Sequence, residues 1–150
     1  MKPRDSNTGE PVGPMLIRTA RAVGNMLQRM FVSRGFDISA EHWTIMANLF
    51  FRQNGQFQQQ LADRTYKDKA AITRLVDGLE KRGLVIREED NTDRRQKKIY
   101  LTEKGEKLMD ELLPVAKMAQ KRGLQGVEPE KMVVFEEVLQ QIFKNAHARD

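Results

Sequence analysis

Apolar residues recur at every third or fourth position over most of the chain, a spacing that predicts a mainly α-helical protein. The clearest stripe falls in a predicted helix over residues 68–82 and consists of Ile72, Leu75, Val76 and Leu79. A shorter polar helix is predicted over residues 57–64, and a tight turn separates the two. This pair is therefore a helix-turn-helix candidate.

The pattern changes to two short strands directly after this helix pair. Residues 85–89 and 98–101 are the predicted strands, and a charged turn joins them. Four of the five residues 94–98 are basic. The sequence therefore predicts a small β-hairpin, or wing, with a positively charged tip.

Helices with apolar faces are predicted on both sides of this unit. The first begins at residue 15 and ends at Gly35, and a second, capped by Ser39, is predicted to bury Trp43, Met46, Ala47 and Phe50. Thr102 is the predicted cap of a long helix that Pro114 should kink. A last helix starts at Pro129, with an apolar face formed by Met132, Phe135, Val138, Leu139, Ile142 and Phe143. The expected fold class is mainly α with a small β-hairpin wing.

Composition narrows the class of protein. Residues 1–14 hold three of the five prolines, so we expect a flexible tail. The chain carries 26 Lys and Arg against 21 Asp and Glu, a net charge of +5 that favours polyanionic partners. It contains no cysteine, which excludes disulfides, thiolate catalysis and cysteine metal sites. No apolar run suits a membrane span or a signal peptide, so a cytoplasmic protein is expected.

The polar face of the 68–82 helix has the residues that a DNA reader needs. Ala70 and Thr73 are small enough to approach base edges beside Arg74. The helix is about 22 Å long, which is enough to lie in a major groove. Asp77 is expected to pair with Arg74, three residues before it.

One acidic residue, Asp93, lies among the cations of the wing tip, where DNA phosphates would repel it. We expect Asp93 to pair with Arg95 and to orient its guanidinium. The alternative, that residues 94–98 are a solvated hairpin end without a ligand, stays open at this point.

Several short motifs in this region match one known family. They are Leu61-Ala62, Thr73-Arg74-Leu75, residues 79–85, and above all Asp93-Arg94-Arg95 followed by Leu101-Thr102-Glu103-Lys104-Gly105. On these residues the chain resembles the multiple-antibiotic-resistance regulator (MarR) family of bacterial winged helix-turn-helix transcription factors, with a good match over residues 40–107. The chain departs from the pattern of the family at two places. Residues 56–60 read Gln-Phe-Gln-Gln-Gln where a Ser or Thr cap is common, and Ala70 stands in place of a polar residue.

The resemblance implies a homodimer on a roughly palindromic operator in double-stranded DNA, usually acting as a repressor. Residues 15–36 and 103–150 would form the helical dimerisation region, and residues 37–102 the DNA-binding domain. By position, the implied DNA-binding residues are Lys69, Ala70, Thr73 and Arg74 in the recognition helix and Asp93, Arg94, Arg95 and Lys97 in the wing.

Family members often respond to small aromatic or lipophilic anions bound between the helical dimerisation region and the DNA-binding domain. Here such an effector pocket would be lined by Arg18, Arg21, His42, Trp43 and Met46. The alternative is that Trp43 and Met46 are core residues and His42 lies on the surface of a first helical turn. His42 and His147 are far apart in the sequence, so no histidine-rich metal site is expected.

Other functional classes make different predictions. An enzyme needs a nucleophile–base pair or paired carboxylates, and the sequence shows neither, so we expect no catalytic residues and no cofactor. A non-specific or architectural nucleic-acid binder could share the fold, as could a winged-helix module used for protein contact. Binding separates these classes, because a specific regulator prefers its operator to random DNA by about 10³-fold or more.

Overall fold

In residues 9–148, which the computed structural model describes, helices predominate and three short strands interrupt them. In chain order the elements are α1 (Val12–Ser33), α2 (Ala40–Phe51), β1 (Gln56–Phe57), α3 (Gln58–Thr65), α4 (Lys69–Lys81), β2 (Val85–Glu89), β3 (Lys97–Leu101), α5 (Glu103–Gly123) and α6 (Pro129–His147). The predicted fold class is confirmed. Because α1 begins at Val12, the last three residues of the predicted tail are helical, and residues 1–8 lie outside the described residues.

Side-chain caps fix three of the helix starts where the sequence predicted them. Each side-chain oxygen accepts a hydrogen bond from the backbone N–H three residues later: Ser39 at 3.0 Å, Asp68 at 2.7 Å and Thr102 at 3.0 Å. At the other end of α4, Gly83 takes a φ of +72°, which a glycine adopts without strain. Pro114 lies inside α5, which remains one helix through Gly123.

The wing is a three-stranded antiparallel sheet, one strand more than the hairpin that the sequence predicted. β3 lies in the middle and pairs with β2 on one side and with the two-residue β1 on the other. A strand of two residues has no periodicity to detect, so the pattern of apolar positions could not reveal it. Since β1 leads directly into α3, the third strand joins the wing to the helix-turn-helix.

The core lies where α2, α3, α4 and α5 meet the sheet, and α1 packs on α2 and α5 beside it. The predicted stripe of α4 is buried in full, as are Met109, Leu112 and Val115 of α5. The buried face predicted for α2 was partly wrong, because Ile45 and Leu49 are buried with Met46 whereas Phe50 is 37% exposed. α2 packs against neighbours on several sides, so its buried surface is wider than a single stripe.

α6 contributes no buried residue to the core of the single chain. Its predicted apolar face is only partly covered, and Phe135, Val138 and Phe143 are 46%, 49% and 44% exposed. A continuous apolar helix face of this kind is typical of an interaction surface. Across residues 9–148, each helix is too short or too polar to span a lipid bilayer.

Candidate nucleic-acid interface

The outer side of α4 gathers the predicted recognition residues. Lys69, Ala70, Thr73 and Arg74 line one open groove of about 750 Å³ along this helix. The helix has 13 residues, so it is about 20 Å long. An exposed helix of this length with two cations and two small side chains can lie in the major groove of DNA.

A second cleft, of about 470 Å³, lies between the start of α3 and the wing. Lys69 reaches it from α4, and Arg95 and Lys97 reach it from the wing. Lys69 therefore borders both the groove and the cleft. The fold places the recognition helix and the wing beside each other on one cationic surface, which suits a phosphate backbone.

The expected contact between Asp93 and Arg95 is confirmed. Asp93 Oδ1 accepts a hydrogen bond from the Arg95 backbone N–H at 3.0 Å and lies 3.4 Å from Arg95 Nε. The Arg95 side chain is 92% exposed. An ion pair as exposed as this one adds little stability, so its main effect is on the direction of the guanidinium.

The other wing cations divide into two groups. Arg94 and Lys97 are exposed, as phosphate contacts must be. Lys98 Nζ instead lies 5.1 Å from the centre of the Phe57 ring, a cation–π contact that joins β3 to the residue before α3. At the base of the tip, the Thr92 hydroxyl donates to the Asp90 carboxylate and lowers the pKa of Asp90.

The predicted pairing of Asp77 with Arg74 is wrong. Arg87 of β2 donates to Asp77 at 2.6 Å and to Glu80 at 2.9 Å, and its side chain is 14% exposed. Val85 and Arg87 lie on the same side of their strand, and Val85 is buried, so Arg87 is held against α4. Arg74 is exposed and has no ion-pair partner within residues 9–148, which leaves its guanidinium available to DNA.

Gln58 is a residue of the interface that the sequence did not single out. Its Nε2 donates to the Thr73 hydroxyl at 2.6 Å, and that hydroxyl donates to the Lys69 carbonyl oxygen at 2.9 Å. These bonds join the first residue of α3 to the recognition helix. Gln58 stands in a run of glutamines without a distinctive pattern, so no local signal could have identified it.

The start of α3 departs from a Ser or Thr cap as expected. Phe57 occupies the N-cap position, and its backbone N–H donates to Gln60 Oε1 at 2.8 Å. The Gln60 side chain, in the first turn of α3, thus caps the helix by accepting the backbone N–H of the N-cap residue. No cap hydroxyl is present at this end to contact a phosphate.

The predicted effector residues lie in different surroundings within the single chain. Met46 is fully buried in the core, and the Trp43 ring lies 5.6 Å from that of Phe31 in α1. His42 points instead to α4, since its Nε2 lies 3.2 Å from where a Cβ on Gly78 would sit. Arg18 and Arg21 are exposed on α1. Over the described part of the chain, no three His, Asp or Glu side chains group closely enough to hold a metal ion.

His42 is half-buried where α2 faces α4, and its surroundings change the pKa of its imidazole. Burial, with a further contribution from the positive charge of Arg82, lowers the pKa of His42 below its ordinary value. Its Nδ1 lies 2.8 Å from the Ser39 hydroxyl, whose oxygen also accepts the His42 backbone N–H. A neutral ring with the proton on Nε2 satisfies both contacts.

Comparison with known proteins identifies this architecture. The model of the MarR family matches residues 36–96, which run from the loop before α2 to the wing tip. A MarR-family transcriptional regulator from Rhodococcus sp. RHA1 is 27% identical, with 93% of this chain and 96% of that chain covered and a TM-score of 0.80. The winged helix-turn-helix of this chain belongs to the MarR family.

A further solved structure of a similar protein contains a small molecule. CouR from Rhodococcus jostii RHA1, solved bound to p-coumaroyl-CoA, is 28% identical, with 89% of this chain and 92% of that chain covered and a TM-score of 0.78. The likeness extends over nearly the whole chain and includes the helices outside the winged helix-turn-helix.

The structure gives a physical reason for the glycine at position 105. Gly105 is buried in the first turn of α5, where an added Cβ would overlap the carbonyl oxygen of Leu84. The same oxygen accepts the Thr102 backbone N–H at 3.1 Å. This close approach packs the start of α5 against the residue before β2 and so joins α5 to the wing.

Proposed function

We propose that this protein is a sequence-specific, DNA-binding transcriptional regulator that acts in the cytoplasm as a dimeric repressor. The observation that carries the proposal is the position of Lys69, which borders both the recognition-helix groove and the cleft beside the wing. Base edges would be contacted from the groove by Ala70, Thr73 and Arg74, and phosphates by Lys69, Arg94, Arg95 and Lys97. Asp93 would act on DNA indirectly, through Arg95.

We propose that two chains associate through α6 together with α1 and α5. The apolar side chains that α6 exposes would be covered by the partner, as would Val12, Ile17 and Val23 of α1, which are 54%, 57% and 51% exposed. A two-fold axis would present two recognition helices in opposite directions, so the operator would be a palindrome with one half-site per chain.

Selection of genomic fragments by the purified protein, followed by titration of the enriched site, tests the proposal. We expect one palindromic site to be bound about 10³-fold more tightly than random DNA at physiological salt. The affinity should fall steeply with salt, because each displaced counterion contributes to the slope. Equal affinity for all sequences would instead indicate a non-specific or architectural DNA-binding protein.

We further propose that a small aromatic or lipophilic anion releases the protein from its operator, as the ligand of CouR suggests. Arg18, Arg21, His42 and Trp43 remain candidates for this site, which the partner chain would have to complete. Titration of aromatic carboxylates and aromatic acyl-CoA thioesters into the operator complex tests this part. Release by a compound of one class supports the proposal, and an unchanged complex across both classes counts against it.

A further inference from the structure

The hydroxyl of Thr73 is already used within the protein. It donates its proton to the Lys69 carbonyl oxygen at 2.9 Å and accepts a hydrogen bond from Gln58 Nε2 at 2.6 Å. A hydroxyl has a single proton to donate. Thr73 therefore cannot donate to a base without giving up its bond to the helix backbone.

These bonds engage the hydroxyl of Thr73 and leave its γ-methyl free of polar contacts, and Thr73 lines the recognition-helix groove. Ala70 lies one turn earlier on the same groove, and its side chain is a second exposed methyl. Arg74 borders this pair on the same surface. The centre of the recognition helix thus presents two methyl groups beside a cation, and the one hydroxyl at these positions already donates its proton within the protein.

Thymine is the DNA base that matches this surface. Its C5-methyl group is an apolar feature of the major groove, and alanine and threonine methyl groups contact it directly. We propose that Ala70 and the Thr73 γ-methyl form a methyl patch that reads one thymine in each half-site. This inference rests on the proposed function and specifies part of the DNA sequence that is recognised.

Gln58 is the positioning residue of this patch. A helical threonine divides between two rotamers, because its hydroxyl can reach the carbonyl of the preceding turn in more than one way. The bond from Gln58 fixes the hydroxyl from the side of α3, and with it the direction of the methyl. Gln58 would then affect base preference through Thr73, whether or not it contacts DNA.

Replacement of single thymines in the selected operator by deoxyuridine tests the inference, because this change removes the methyl group alone. We expect one thymine per half-site at which the replacement weakens binding by about threefold to tenfold, as loss of a buried methyl contact predicts. If the wild-type protein binds the operator selectively and tolerates deoxyuridine at every position, the methyl patch is disproved while the proposed function stands. If it has no selective site, the proposed function fails and the inference fails with it.

Matched variants assign the effect to Thr73. Thr73→Ser keeps the hydroxyl and removes the methyl, so the ratio of affinities for thymine and deoxyuridine should fall towards one. Thr73→Val keeps the methyl group, and should retain most of that ratio. Gln58→Ala should lower the ratio while Thr73 itself is unchanged. A Thr73→Ser protein with the full wild-type ratio would overturn the assignment.

Discussion

The guanidinium of Arg87 donates to the carboxylate of Asp77 at 2.6 Å and so joins the second strand of the wing to the recognition helix. The same group binds Glu80 one turn along α4. One positive charge thereby offsets part of the negative charge of two helix carboxylates beside the surface that would accept DNA. We regard this contact as the brace that fixes the wing relative to α4.

Arg87→Ala should lower the free energy of unfolding by about 1–2 kcal/mol, because charge-assisted hydrogen bonds are lost while the half-exposed carboxylates can recover water. It should also weaken operator binding, since Asp77 and Glu80 would then face DNA unpaired. Thermal unfolding and fluorescence anisotropy measure the two effects. Arg87→Lys keeps the positive charge but cannot bind both carboxylates with one planar group. Its stability and affinity should therefore lie between those of the wild type and those of Arg87→Ala. Wild-type values for Arg87→Ala would contradict the role of the brace.

Arg95→Ala should weaken binding to all DNA sequences and leave stability unchanged, because Arg95 is a fully projecting wing cation. The slope of log affinity against log salt should decrease by about one. The control is Lys121→Ala, which removes one exposed cation near the end of α5. Equal salt slopes for both variants would show that Arg95 contacts no phosphate.

Gly105→Ala should destabilise the protein by about 3 kcal/mol or more, since the added methyl overlaps a backbone oxygen that cannot move aside. Gly13 in α1 provides the matched control, because a Cβ there meets no atom within 4 Å. Gly13→Ala should be neutral or slightly stabilising. Chemical denaturation distinguishes the two, and similar stabilities would refute the close packing of α5 on Leu84.

Phe135→Glu should dissociate the proposed dimer, because it places a charge on the apolar face of α6. Sedimentation velocity should then report a monomer at concentrations where the wild-type protein is dimeric. Gln140→Glu adds the same charge at a polar, exposed position of α6 and should leave the dimer intact. A dimeric Phe135→Glu protein would show that this face is not the interface.

Stability should decrease on acidification through the titration of His42. Its pKa is lowered in the folded state, so below about pH 6.5 the unfolded chain binds the proton more readily. The contribution of the neutral His42 ring to the free energy of unfolding is complete above that pH, and it is lost as the pH falls towards the pKa of His42 in the folded state. Unfolding free energies at pH 7.0 and 5.5 should differ less in His42→Gln than in the wild type. The control is His147→Gln, which replaces an exposed histidine near the end of α6.

Some features of this protein follow from sequence alone because they depend on neighbouring residues. Ser39, Asp68 and Thr102 cap the helices that follow them, and the stripe on α4 is buried as its spacing predicts. The Asp93–Arg95 contact spans two residues and forms within one turn. These are local hydrogen bonds and periodicities, and the chain determines them without reference to its distant parts.

The tertiary structure decided which distant side chains meet. Asp77 pairs with Arg87 and not with the nearer Arg74, because packing of the wing against α4 brings Arg87 to that face. Gln58 reaches Thr73 because α3 and α4 cross at a short turn, and Ile45 and Leu49 join the predicted Met46 in the core because α2 is enclosed on several sides. The sequence by itself determined the helices, the two longer strands of the wing and the motifs that resemble the MarR family, whereas the short strand β1 appeared only in the fold. The ion pair of Asp77 with Arg87, which joins the wing to the recognition helix, depended on the fold. Contacts between separate elements arise from packing and not from spacing along the chain.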